Sequence, residues 1–110
     1  MVVMGAADQL LAKAGEQAER ALAADDESAA IAAAAAAARL ALRGILADRG
    51  KPTPDDVSPD TIASLLADAG LHPPQGVEAL AGLADPPPRD RADALQAAGA
   101  AVTWAATSLM

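Results

Sequence analysis

No cysteine occurs in the 110 residues of this chain. Disulfides, thiolate nucleophiles and cysteine metal sites are therefore excluded, and the redox compartment is left open. Phenylalanine and tyrosine are also missing, and Trp104 is the single aromatic residue. A base-stacking platform of the kind that binds single-stranded nucleic acid cannot be built from this composition. His72 is the only histidine, so any Ser–His pairing would depend on it alone, and no His-x-x-x-His metal spacing exists. Bases are scarce: 8 against 15 acids, for a formal net charge of −7. Such a balance disfavours nucleic acid as a partner, because phosphates are neutralised by basic surface. The glycines are isolated and form no phosphate-cradling loop. The two charge-free runs, 28–38 and 94–110, fall short of the roughly 20 apolar residues that span a bilayer, so no membrane segment is expected. Residues 1–8 lack the basic and apolar regions of a signal peptide, which makes the cytoplasm the default location.

Alanine fills much of what remains. Ile31 is followed by seven alanines, then Arg39-Leu-Ala-Leu-Arg43-Gly-Ile-Leu-Ala-Asp-Arg49-Gly50. Alanine is the best helix former because ordering it costs no side-chain entropy. A basic end, a glycine and then Pro52 and Pro54 mark where this helix stops. No segment alternates apolar and polar residues over a useful length, so no strand is expected.

Helical spacing appears five times. The first helix is predicted over about 6–24, with Leu10, Leu11, Ala14, Ala18, Ala21 and Leu22 inward. The second spans about 27–49, after the capping cluster Asp25-Asp26-Glu27-Ser28. The third starts after Ser58, with Pro59 at its first position, and presents Ile62, Leu65, Leu66 and Ala69 until Gly70 ends it. A fourth, short helix covers about 77–84, with Val77, Leu80 and Leu83 inward. The last starts near Arg89 and Asp90 and runs to the C-terminus, its main stripe being Leu95, Ala98, Val102, Ala105 and Leu109, flanked by Ala94, Ala101 and Trp104. The pattern of two long, two short and one long helix gives an all-α, up-and-down bundle of about five helices in a single domain over 1–110. The joints are rich in proline but short, and the pieces between them are too small to fold alone.

Few residues suggest chemistry. His72 reads as a solvated connector residue, with no partner motif around it. Asp55, Asp56 and Asp60 suit helix capping better than a cation site, since no loop of the required ligand spacing surrounds them. Trp104 reads as a core or interface plug. The basic residues stand out more. Arg39 and Arg43 are four apart on one helix. Arg89 and Arg91 open the last helix, where exposed N–H groups favour anions and arginines run against the dipole. Arg39, Arg43, Arg89 and Arg91 are the candidate ligand-binding residues. No catalytic residue, metal site or cofactor is assigned.

Three segments resemble the HEPN domain family. Residues Ala35-Ala-Ala-Ala-Arg39-Leu-Ala-Leu-Arg43-Gly-Ile-Leu-Ala-Asp-Arg49-Gly50 are similar to the family's Ala-rich second helix. Asp60-Thr-Ile-Ala-Ser-Leu-Leu66 resembles the following His-x-Leu-x-x-Leu-Leu-like segment, with aspartate where histidine is common. Pro88-Arg89 before an Ala-rich last helix resembles the family's Arg-Tyr region. The likeness covers about 6–109. Ribonuclease members carry an Arg followed within a few residues by a His at the start of the last helix. Here Arg89 and Arg91 are followed by Ala94-Leu-Gln-Ala-Ala98, without histidine. The resemblance implies a degenerate, non-catalytic binding module. Such a module would form a homodimer and pair with a nucleotidyltransferase-type protein or bind a nucleotide. The alternatives are a toxin-type ribonuclease acting through Arg89 or Arg91, and a structural helical dimerisation protein with no ligand site.

Overall fold

The structure is a computed structural model and describes residues 5–83, 88 and 90–109. Five helices follow in order: α1 (Ala6–Ala23), α2 (Glu27–Asp48), α3 (Pro59–Asp68), α4 (Val77–Ala81) and α5 (Arg91–Ser108). No strand occurs among the described residues. The architecture is the all-α bundle expected from the periodicities. Its Cα radius of gyration, 13.0 Å, is that of a folded domain of about this length.

Local chemistry sets most of the helix ends. The Asp26 carboxylate accepts from the Ala29 N–H at 3.2 Å and caps α2. Ser58 Oγ accepts from the Thr61 N–H at 3.3 Å, and Pro59 follows at the position where a missing N–H is harmless. The Asp90 carboxylate accepts from the Asp93 N–H at 2.8 Å. At the far end of α2 the chain turns through Gly50, at φ +77°. The Gly50 N–H bonds to Ala47 O and the Lys51 N–H to Leu46 O at 2.8 Å, which satisfies carbonyls the helix leaves open. The same paired bonds end α3 around Gly70 and α4 around Gly82.

α2 is the hub. It packs against α1 most extensively, then α5, and also touches α4 and α3. By length and composition it is the one described helix apolar enough to cross a membrane, yet 56% of that stretch is buried inside the bundle. Its inner side is lined by Ala30, Ala34, Ala37, Ala38 and Ala41, with the bulkier Leu42, Ile45 and Leu46 gathered at one end. Ile62 of α3 and Val77 of α4 complete the set of large, fully buried side chains. Leu66 and Leu80 are also buried, and the buried residues of the two other long helices are all alanine: Ala14 and Ala21 on α1, and Ala94, Ala97, Ala98, Ala101 and Ala105 on α5. Small side chains let helices approach closely, and each removes little apolar area from water. Gly44 marks the tightest approach. A Cβ placed there would lie 3.3 Å from Ala7 O and 3.6 Å from the Leu11 nitrogen, both backbone atoms of α1.

Three expectations need correction. Leu22, placed on the inward stripe of α1, is 65% exposed although Ala21 beside it is fully buried, because one residue further on turns it about 100° round the helix, off the covered face. The fourth helix ends at Ala81 rather than near residue 84, since Gly82 adopts φ +86° and closes it; Ala84 lies outside the described residues. On α5 the buried residues are Ala94, Ala97, Ala98, Ala101 and Ala105. Ala98 and Ala105 of the expected stripe and its flanking Ala94 and Ala101 are thus the deepest, while Leu95, Val102 and Trp104 pack against the core from its edges and Leu109 is half-buried. The helix is turned so that methyl groups meet the methyl-lined face of α2.

Candidate functional site

The four candidate arginines separate once placed in the fold. Arg89 lies outside the described residues. Arg39 and Arg43 share α2 but diverge. Arg39 projects from an exposed position and donates from Nε to Ala81 O, the last residue of α4, at 3.1 Å. α4 is only five residues long, too short to hold itself by propensity. The Arg39 bond satisfies one of its open C-terminal carbonyls and places a cation at the negative pole of the helix.

Arg43 is buried, with 9% of its side chain exposed. It donates from Nε to Thr53 Oγ1 at 3.0 Å and from Nη2 to Thr53 O at 3.4 Å. Nη2 also donates to Asp55 Oδ1 at 2.9 Å. A charge is tolerated inside a protein when it is paired and hydrogen-bonded, and Arg43 meets both conditions. Its guanidinium ties the 49–58 connector back onto α2. Asp55 is 99% exposed at its side chain, so the Thr53 contacts, not the ion pair, carry the anchoring.

Arg91 resolves the question of an arginine set against a helix dipole. It faces the C-terminus of α1 instead of the N-terminus it belongs to. Nη2 donates to Leu22 O at 2.8 Å and to Ala21 O at 3.3 Å. These carbonyls belong to the last turn of α1 and have no partner within that helix. The Asp90 carboxylate holds the α5 N-terminus at the same time, so the anion position there is filled by the chain itself.

The set therefore forms no common basic site among the described residues. Arg91 marks the end of the bundle where α1 finishes and α2 begins. Arg39 and Arg43 lie 12 and 16 residues into α2, about 18 and 24 Å along its axis from that end. α2 and α5 are in contact, as a shared site would need, but the guanidinium groups turn towards three different structural partners. His72 is exposed in the connector between α3 and α4. No group of three or more His, Asp or Glu side chains suited to a metal ion occurs among the described residues. Asp60 sits in the first turn of α3, where its charge favours the helix N-terminus.

The sequence offered Arg39 and Arg91 as ligand groups because their partners lie far along the chain, and Arg43 because its partners Thr53 and Asp55, 10 and 12 residues on, sit in a connector with no periodic pattern. Arg91 reaches back about 70 residues and Arg39 forward 42. A guanidinium serving another helix's last carbonyls leaves no local pattern. The nearest sign was its position against its own helix dipole. No family model, curated protein or solved structure matches this chain. The HEPN resemblance stands on the segments quoted for it.

Proposed function

We propose that this chain is a non-catalytic helical module that acts by protein association. One observation carries the reading. The guanidinium groups of Arg39, Arg43 and Arg91 each donate to atoms of their own chain, where they hold α4, the 49–58 connector and α1 in place. A phosphate that recruited Arg91 would have to replace two hydrogen bonds and expose two helix carbonyls. Charge-assisted bonds of this type contribute about 1.5–3 kcal/mol each, so recruitment would offset much of what it gained. The absence of a histidine following Arg89 and Arg91 points the same way with respect to RNA cleavage. The HEPN resemblance supplies the candidate heterologous partner, a nucleotidyltransferase-type protein.

Calorimetric titration with ATP tests this reading. No saturable heat is expected at millimolar nucleotide, and no turnover on incubation with structured or unstructured RNA. Saturable nucleotide binding that disappears in the Arg39→Ala/Arg91→Ala or the Arg89→Ala variant, with helix content retained, would overturn it in favour of a ligand site.

A further inference from the structure

We propose that α4 is a lid, latched by Arg39, that opens over the seam between α2 and α5 while the three long helices stay packed. The inference goes beyond the association reading and is tested without a partner. α4 turns Val77, Leu80 and Ala81 inward. It packs against both α2 and α5, which also touch each other. Its start lies on α5, where a Cβ on Gly76 would stand 3.7 Å from Ala97 Cβ. Its end lies on α2, where Ala81 O accepts from Arg39 Nε at 3.1 Å. Among the described residues, Leu22 is the one large apolar side chain that stands exposed. Lifting α4 would therefore add Val77, Leu80 and the seam beneath them to a surface that otherwise shows little apolar area.

Three features make this piece separable. Its five residues form little more than one turn, which has no stability of its own. The glycines at its two ends, Gly76 at φ +91° and Gly82 at φ +86°, are exposed and change backbone region at little cost. α4 can thus swing without straining its neighbours. The frame, finally, does not depend on it: α1, α2 and α5 share the most extensive contacts in the molecule with one another. Local opening draws on segments with few buried contacts. The two arginines of α2 also hold their partners unequally. Arg43 is buried and pins the 49–58 connector with three bonds. Arg39 is exposed and gives α4 a single bond, which water can replace at either group. The connector is therefore the fixed end and the α4 C-terminus the end that releases.

Amide hydrogen exchange of the wild-type chain reads the opening helix by helix. The N–H groups of Leu80, Gly82 and Leu83 bond to Gly76 O, Ala79 O and Glu78 O. Corrected for intrinsic rates, they are expected to exchange at least about 100-fold faster than the α2 amides of Ala34, Ala38 and Ala41. Arg39→Ala removes the latch and should speed exchange at the three α4 positions by about a further tenfold, as the loss of one charge-assisted bond implies, with α1 and α2 unchanged. Thiol labelling gives a second reading, because the chain has no cysteine of its own. Ala81→Cys in α4 and Ala101→Cys in α5 both replace fully buried alanines. The thiol at position 81 should label at least about tenfold faster, since it needs only the lid to open. Equal protection of α4 and α2 in wild type overturns the inference, because α4 would then open only with the whole molecule. So does an Arg39→Ala chain in which α4 exchange is unchanged, or in which every helix loses protection alike.

Discussion

Gly44 lies where α2 crosses α1, and replacing it with alanine sets two effects against each other. In a helix interior, alanine is favoured over glycine by about 0.8–1.0 kcal/mol. The added methyl would meet Ala7 O at 3.3 Å, Leu10 Cβ at 3.5 Å and the Leu11 nitrogen at 3.6 Å. Two of these are backbone atoms, so no rotamer change relieves them. α1 must shift by a few tenths of an ångström, and it carries the buried Ala14 with it. Overpacking of this kind costs about 1–3 kcal/mol. The difference leaves Gly44→Ala destabilised by about 1 kcal/mol, with Gly44→Val worse because it adds two more carbons and loses helix propensity. Gly15 provides the control. It is also helical, but a Cβ there meets nothing within 4 Å, so Gly15→Ala should stabilise by about 0.5–1 kcal/mol. At about 4–8 °C per kcal/mol for a domain near this size, thermal melts should move in opposite directions for the two variants. Urea midpoints should do the same with unchanged slopes. If Gly44→Ala stabilised as much as Gly15→Ala, α1 would not be held against α2 at this distance, and the account of the alanine core would be refuted.

Three further substitutions probe the anchors. Arg43→Met keeps the apolar stem but leaves Thr53 without its donors, and should lower stability by about 1–3 kcal/mol in urea titration. Asp55→Asn should leave the midpoint unchanged, because its partner is held by Thr53; an equal loss from both would show that the ion pair is the anchor. Ser58→Ala removes the α3 cap and should cost about 1 kcal/mol, with amide exchange quickening first at Thr61. Arg91→Ala should speed amide exchange at the start of α5 and the end of α1 while leaving the α1–α2 contact protected. Uniform loss of protection would mean that the clamp is not local.

What the sequence made legible was local chemistry. Ser58-Pro59, Gly50 and Gly70 announced their helix ends, because a cap or a left-handed residue acts within a few positions. The stripe on α3 was equally readable, since Ile62 and Leu66 stand four residues apart and both are buried. α5 was not readable in the same way. Asp93, Gln96, Thr103 and Thr107 mark its exposed side, but the opposite side mixes alanine with larger side chains, so spacing does not say that the alanines lie deeper than Leu95 and Val102. Leu22 was misplaced because a stripe does not say how wide a face the neighbouring helix covers, and Ala21 beside it is fully buried. The arginines were legible as unusual and illegible in purpose. A salt-bridge or dipole argument sees the few residues on either side, whereas the atoms that engage Arg39 and Arg91 are brought near only by the completed bundle.

The short turn between α1 and α2 has a consequence for how the chain reaches its native state. Three residues join the two helices that share the largest contact. Bringing them together closes a small loop, so little chain entropy opposes their pairing. Docking α5, and forming the Arg91 clamp, closes a loop of about 70 residues and must await that frame. The transition state is thus expected to hold an α1–α2 hairpin with α5 still undocked. Ala→Gly changes in α2 should slow folding, and Arg91→Ala should chiefly accelerate unfolding. Until α5 docks, the hairpin presents a long alanine face to solvent. The lifetime of that intermediate surface, more than the stability of the finished bundle, would then set how readily the chain associates wrongly as it emerges from synthesis.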